Sequence, residues 1–141
     1  MNLCSTTPEY FNDVSADQIL DVFKEQGFSA ERANLDSGKS YIRFKVEGYT
    51  SRIYFYGESD NRPGFFNSLQ FNASFRDKIS MEKANQWNLE RRLIKVYSDS
   101  DGELQFDLDV PLEGGVSRKY LMARIEDWRA LFSRVLGFVT Q

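Results

Sequence analysis

Three groups of side chains in this sequence have types and spacings that could do chemistry. Glu103, Asp107 and Asp109 share one parity, so in a strand they project from the same side. Carboxylates so placed could hold a hard cation, which needs several converging oxygens. They could also serve a glycosidase, but an open strand supplies neither a cleft nor an acid with a raised pKa, and that reading is rejected. Arg43, Arg52 and Lys95 fall at outward positions of neighbouring strand segments. Cross-strand charge pairs therefore account for the carboxylates without a metal. Asp99-Ser-Asp101-Gly102-Glu103 opens like a calcium loop. It lacks the third ligand position before its glycine and the closing glutamate, so it reads as a hairpin turn.

The second group is Asn85, Trp87 and Asn88, a polar-aromatic cluster on one helix and a candidate ligand site. Buried amides need partners, so these residues could equally bond loops and strand ends, with Trp87 as a core plug. The folding reading is preferred. The third group is Gly114-Gly115 ahead of Ser117, a helix start that could cradle an anion, helped by Arg118 and Lys119. Basic residues in a first turn oppose the helix dipole. No phosphate-loop motif is present, and a connection followed by an ordinary cap explains the same residues. Outward Tyr54, Tyr56 and Tyr97, with Gln70 and Asn72, are the candidate surface for protein contact, because exposed tyrosines suit interfaces.

The chain contains no histidine, which removes Ser-His-Asp and Cys-His nucleophile systems, His-ligated zinc and the usual proton shuttle near neutral pH. We therefore expect no catalytic residues, no cofactor and no metal. A net charge of −3 gives no footprint for nucleic acid and no polybasic membrane anchor. No apolar run approaches the roughly 20 residues of a membrane span. Cys4 is the sole cysteine, so it cannot form an intramolecular disulfide, and a reducing cytosol fits it best. Met1–Pro8 lacks a signal-peptide apolar stretch. The expected place is the cytoplasm, or the periplasm or exterior if a signal peptide has been removed.

The elements that must position these groups follow from periodicity. With 41% hydrophobic and 28% charged residues the chain is globular. Its length fits one domain over 14–141, with 1–13 a loose arm that Tyr10 and Phe11 could dock. Ser15 and Gln18 have capping-box spacing, Ile19, Leu20 and Phe23 share a face, and Gly27 suits a helix stop. Strands are expected at Phe28–Leu35, around Ile42–Val46, around Ile53–Phe55 and across Leu69–Phe75. A second helix runs from Ser80 to about Arg91. Leu93–Ser98 and Glu103–Val110 form a hairpin through Asp99–Gly102. Ser117 caps a last helix whose stripe of Leu121, Ile125, Trp128, Phe132, Val135 and Val139 is core or a dimer seam. The order α-β-β-β-β-α-β-β-α predicts an α+β fold, an antiparallel sheet with helices on one face. Its other face would carry Arg43, Tyr54, Tyr56, Gln70, Asn72, Lys95, Tyr97, Asp107 and Asp109.

Several pieces occur together in order: Ser15–Gly27, Leu69-Gln-Phe-Asn-Ala-Ser-Phe75, Asn85-Gln-Trp-Asn88 with Arg91-Arg92, Asp99–Gly102, Leu108-Asp109-Val110 and Gly114-Gly115-Val-Ser117. In this spacing the chain, from about Val14 to Gly137, resembles the YbjN-type domain, a bacterial family labelled as sensory transduction regulators. The resemblance implies a fold similar to type III secretion chaperones, often paired as dimers, and carries no catalytic residues. Some relatives have cysteines around the loop matching Gly57–Ser68, and this chain has none there. The expected function is a non-enzymatic protein-interaction or chaperone-like regulatory domain, binding a protein partner as a possible homodimer. The alternative is a small-ligand or anion sensor in bacterial signalling.

Overall fold

Alternating apolar residues build most of this structure, a computed structural model that describes residues 10–141; Cys4 and the rest of 1–9 lie outside them. The elements are β1 (Tyr10–Phe11), α1 (Ala16–Glu25), β2 (Glu31–Asn34), β3 (Ser40–Val46), β4 (Tyr49–Glu58), β5 (Phe66–Lys78), α2 (Met81–Glu90), β6 (Lys95–Ser98), β7 (Glu103–Pro111), β8 (Val116–Ser117) and α3 (Arg118–Val139). Six strands form one antiparallel sheet in the order β2-β3-β4-β5-β7-β6, and β1 pairs with β8 in a small second sheet. The α+β class and the element order are as expected, apart from the two added two-residue strands.

Those added strands pin the end of the expected loose arm. Phe11 and Val14 are buried, and Val14 exchanges backbone bonds with Phe66 at 2.9 and 2.8 Å. Burial of two apolar side chains holds Tyr10–Asp13 against the fold.

The helices start where their caps predict. Ser15 Oγ accepts from the Gln18 amide while Gln18 Oε1 accepts from the Ser15 amide, a complete capping box. Ser80 and Ser117 cap α2 and α3 through the amides of Lys83 and Tyr120. The α1 face of Ile19, Val22 and Phe23 lies on the sheet, with Phe23 edge-on to Phe44 at 4.9 Å. In α3, Leu121, Ile125, Trp128, Phe132 and Val135 are fully buried, so that stripe is core. Trp128 Nε1 donates to Ser51 Oγ at 2.9 Å, which satisfies two polar groups in the centre of the core.

Two strands are shorter than their patterns suggest. β2 begins at Glu31 rather than Phe28, because α1 ends in a double closure: Gly27 N–H donates to Lys24 O and Phe28 N–H to Phe23 O. This closure needs Gly27 at φ +79° and commits Phe28 to the helix end. β6 begins at Lys95 rather than Leu93, since Leu93 sits at φ +76°, outside the strand region.

Candidate functional site: the open face of the sheet

Strand alternation sends every second side chain to the face that no helix covers. The register then aligns these residues in rows. Glu31, Arg43, Arg52, Asn72, Asp107 and Lys95 form one row across all six strands. Ala33, Tyr41, Tyr54, Gln70 and Asp109 form the next. Tyr54 leans on Tyr41 with ring centroids 5.7 Å apart, and Tyr56 is 51% exposed. Tyr54 and Tyr97 are half-buried.

This face is less uniformly solvated than its polar composition suggests. Asp107 is only 4% exposed and Asn72 7%, so the centre of the row is a sunken polar cluster. Asn72 Nδ2 donates to Asp107 Oδ1 at 2.6 Å and to the Phe106 carbonyl at 3.3 Å. Ser74 Oγ donates to Gln105 Oε1 at 2.7 Å and lies 3.2 Å from Asn72 Oδ1. Tyr97 borders the cluster, and its hydroxyl is pushed up to about 12, first by burial and then by hydrogen bonding and charge from Asp107. Burial also pushes the Tyr54 hydroxyl upward, against the lowering effect of Arg52.

Cross-strand charge pairing explains less of this face than expected. Lys95 Nζ is 4.0 Å from Asp107 Oδ2, a distant pair, and Asp109 is met by Gln70 Nε2 at 2.9 Å rather than by a cation. Arg43 turns to Glu31 instead, at 2.6 Å. Arg52 forms no ion pair among the described residues. The reason is positional: the two arginines sit side by side on β3 and β4, while the carboxylates lie on β7, with β5 between.

The hairpin Asp99–Glu103 brings three carboxylates, Asp99, Asp101 and Glu103, within 4.8 Å of one another. Asp99 Oδ1 accepts from the amides of Asp101 and Glu103, and its Oδ2 accepts from Gln105 Nε2. Those bonds, led by the Glu103 amide, hold the Asp99 carboxyl below the usual carboxylate range. Such a pattern closes a turn, with the aspartate imitating a backbone acceptor.

In the helix cluster, Trp87 is buried and its Nε1 donates to the Ile94 carbonyl at 2.9 Å. Asn88 Nδ2 donates to the Val96 carbonyl at 2.7 Å, and Asn88 Oδ1 accepts from the Val96 amide at 3.0 Å. The side chain thus pairs with edge strand β6 as one residue of an extra strand would. Asn85 is exposed. At the other candidate, Gly114 and Gly115 take φ +89° and +92°, and the Gly115 amide donates to Leu112 O. Ser117 Oγ is occupied by its cap, and Arg118 reaches Glu25 at 3.2 Å. The open-face residues and the two ligand candidates do not converge on one site.

A family model described as "putative bacterial sensory transduction regulator", YbjN, matches residues 15–139. The chain belongs to the YbjN family. No curated protein and no solved structure matches it. Among the described residues of this YbjN chain, no helix is long and apolar enough to cross a membrane.

Two features escaped the sequence reading. Met81 and Leu89 are 80% and 82% exposed at the two ends of α2, eight residues apart, and Leu93 beyond the helix is also exposed. The i, i+8 spacing on a helix was the available signal. The other is a groove beside β3 that joins Phe28 to Arg129, residues a hundred positions apart, for which no local signal exists.

Proposed function

We propose that this YbjN domain is a non-enzymatic, chaperone-like regulatory module that binds another protein across its open sheet face. The observation that carries this reading is the face itself: half-buried Tyr54 and Tyr97 and exposed Tyr56 share it with a sunken polar cluster that no helix covers. Partly buried tyrosines are rigid, amphipathic contacts that lose little entropy on binding. Arg52, without an ion pair among the described residues, adds a donor in the middle.

Self-association belongs to the same proposal, since a second copy would bury the exposed Met81, Leu89 and Leu93 side chains. The ligand-sensor alternative has less to draw on. Trp87, Asn88 and Ser117 already spend their polar atoms inside the fold, and neither of the two grooves described is lined by them.

The test is a crosslinking pull-down from the native cell with wild type and a Tyr54→Ser, Tyr56→Ser double variant. The variant should keep its circular dichroism spectrum and lose the partners that wild type captures. Recovery of every partner at wild-type yield by the folded variant refutes the reading.

A further inference from the structure

Beside β3 runs an open groove of about 720 Å³, lined by the α1–β2 connector on one side and by Arg43, Phe44 and Lys45 on the other, with Arg129 of α3 below. It exists because the closure at Phe28 delays β2, so the β2–β3 ladder stops at Glu31↔Arg43. The strand parity shows what that leaves behind. Lys39 O accepts from the Leu35 amide, so odd-numbered residues of β3 turn their backbone groups toward β2. The tight turn at Glu47-Gly48, with φ +51° and +83°, agrees: it makes Val46 and Tyr49 a bonded pair and leaves Lys45 facing away from β4. Lys45 should therefore meet Ser29, but Ser29 lies outside β2 and the backbone N–H and C=O of Lys45 have no partner among the described residues.

The charges on either side of this free edge are mostly of one sign. Arg129 stacks its guanidinium 4.0 Å from the Phe28 ring centroid and makes no ion pair among the described residues. Among the described residues, Lys45 Nζ bonds only the neutral Thr50 hydroxyl, at 3.0 Å. Glu31 is the one acid lining the groove, and Arg43 already holds it at 2.6 Å. Two cations therefore remain uncommitted, one on each side of the sheet edge.

We propose that this groove binds an extended, acidic segment of a partner protein, added as a short strand at Lys45. A residue opposite Lys45 would exchange two backbone bonds with it and project its side chain to the outer face, where Lys45 receives a carboxylate. The neighbour on the side away from Ala30, which adjoins the end of β2 and packs on the core, would project inward beside Phe28 and the stacked guanidinium of Arg129. A small anion would use the amide and leave the carbonyl bare, and it would fill little of the groove; a strand uses both. The inference rests on the reading of this domain as a protein-binding module, and gives it a contact point separate from the tyrosine face.

The experiment selects a display library of random nine-residue peptides on the full chain, then measures the winners against variants. Winners are expected to be rich in Asp and Glu. Lys45→Glu and Arg129→Glu should each weaken them at least tenfold, while the Tyr54→Ser, Tyr56→Ser variant binds them as wild type does. Bound peptide should also slow exchange of the Lys45 amide. Because Lys45 is exposed, its variant remains informative if Arg129→Glu fails to fold. Basic or neutral winners, or winners indifferent to Lys45→Glu, overturn the proposal. Winners lost only with the tyrosine variant overturn the groove and support the open face. No winner at either surface counts against both.

Discussion

Asn88 lets the structural account be tested at one side chain. Val96 turns its amide and carbonyl away from β7, and the Asn88 carboxamide bonds both, at 3.0 and 2.7 Å. Asn88→Ala removes both bonds and leaves two backbone groups on a sheet edge beside α2. At about 1 kcal/mol per net hydrogen bond the loss is about 2 kcal/mol. For a chain of this length that lowers Tm by about 7 °C. Asn88→Asp keeps an acceptor for the amide but sets a carboxylate against the Val96 carbonyl, so it should cost at least as much. Thermal unfolding by circular dichroism reads the stability, and amide exchange reads the site, since Asn88 is the Val96 amide's bonding partner in the fold. If Asn88→Ala shifts Tm by less than about 1 °C and the Val96 amide stays protected, the folding role is wrong and a ligand role regains ground.

Three further outcomes follow from other parts of the structure. The Tyr97 hydroxyl should titrate at about 12, read as the difference in tyrosinate absorbance between wild type and Tyr97→Phe. Its folded value lies above the ordinary 10, so the stability it contributes is whole below pH 10 and is lost as pH rises through about 12. Asp107→Asn should bring the midpoint only part of the way back, because burial is the larger cause; a wild-type midpoint near 10 contradicts the sunken cluster. Trp128→Phe strands the buried Ser51 hydroxyl and opens a small cavity, which should cost about 2–4 kcal/mol in urea unfolding; a loss under about 1 kcal/mol would mean that the Ser51 bond carries little. Light scattering of wild type should give the mass of two chains, and Leu89→Glu the mass of one; a wild-type monomer sinks the self-association proposal.

What the sequence made legible was mostly local. The caps at Ser15, Ser80 and Ser117 act within three residues, and the α3 stripe repeats every turn, so both could be read from spacing alone. Period-two alternation likewise assigned Tyr54, Tyr56, Gln70, Asn72 and Tyr97 to the face opposite the helices. What alternation cannot report is depth. Asn72 and Asp107 are sunk by neighbours on other strands, which depends on register across the sheet. Arg43 was expected to pair toward β7 and instead meets Glu31, because β2 lies next to it and β7 does not. The groove depends on where β2 starts, and that was decided by a helix closure that removed three residues from the expected strand. For Asn88 the partner is eight residues away on a different element, close enough to suspect and too far to derive.

The central claim, that the uncovered sheet face meets another protein, is tested most directly by photocrosslinking in the native cell. A benzoylphenylalanine placed at Tyr56 lies on that face, while one placed at Glu126 lies on the exposed side of α3. The account predicts a discrete adduct to a second protein from position 56, weakened by Tyr54→Ser, and none of that adduct from position 126. The same adduct at equal yield from both positions, or none from position 56 while position 126 captures one, contradicts it.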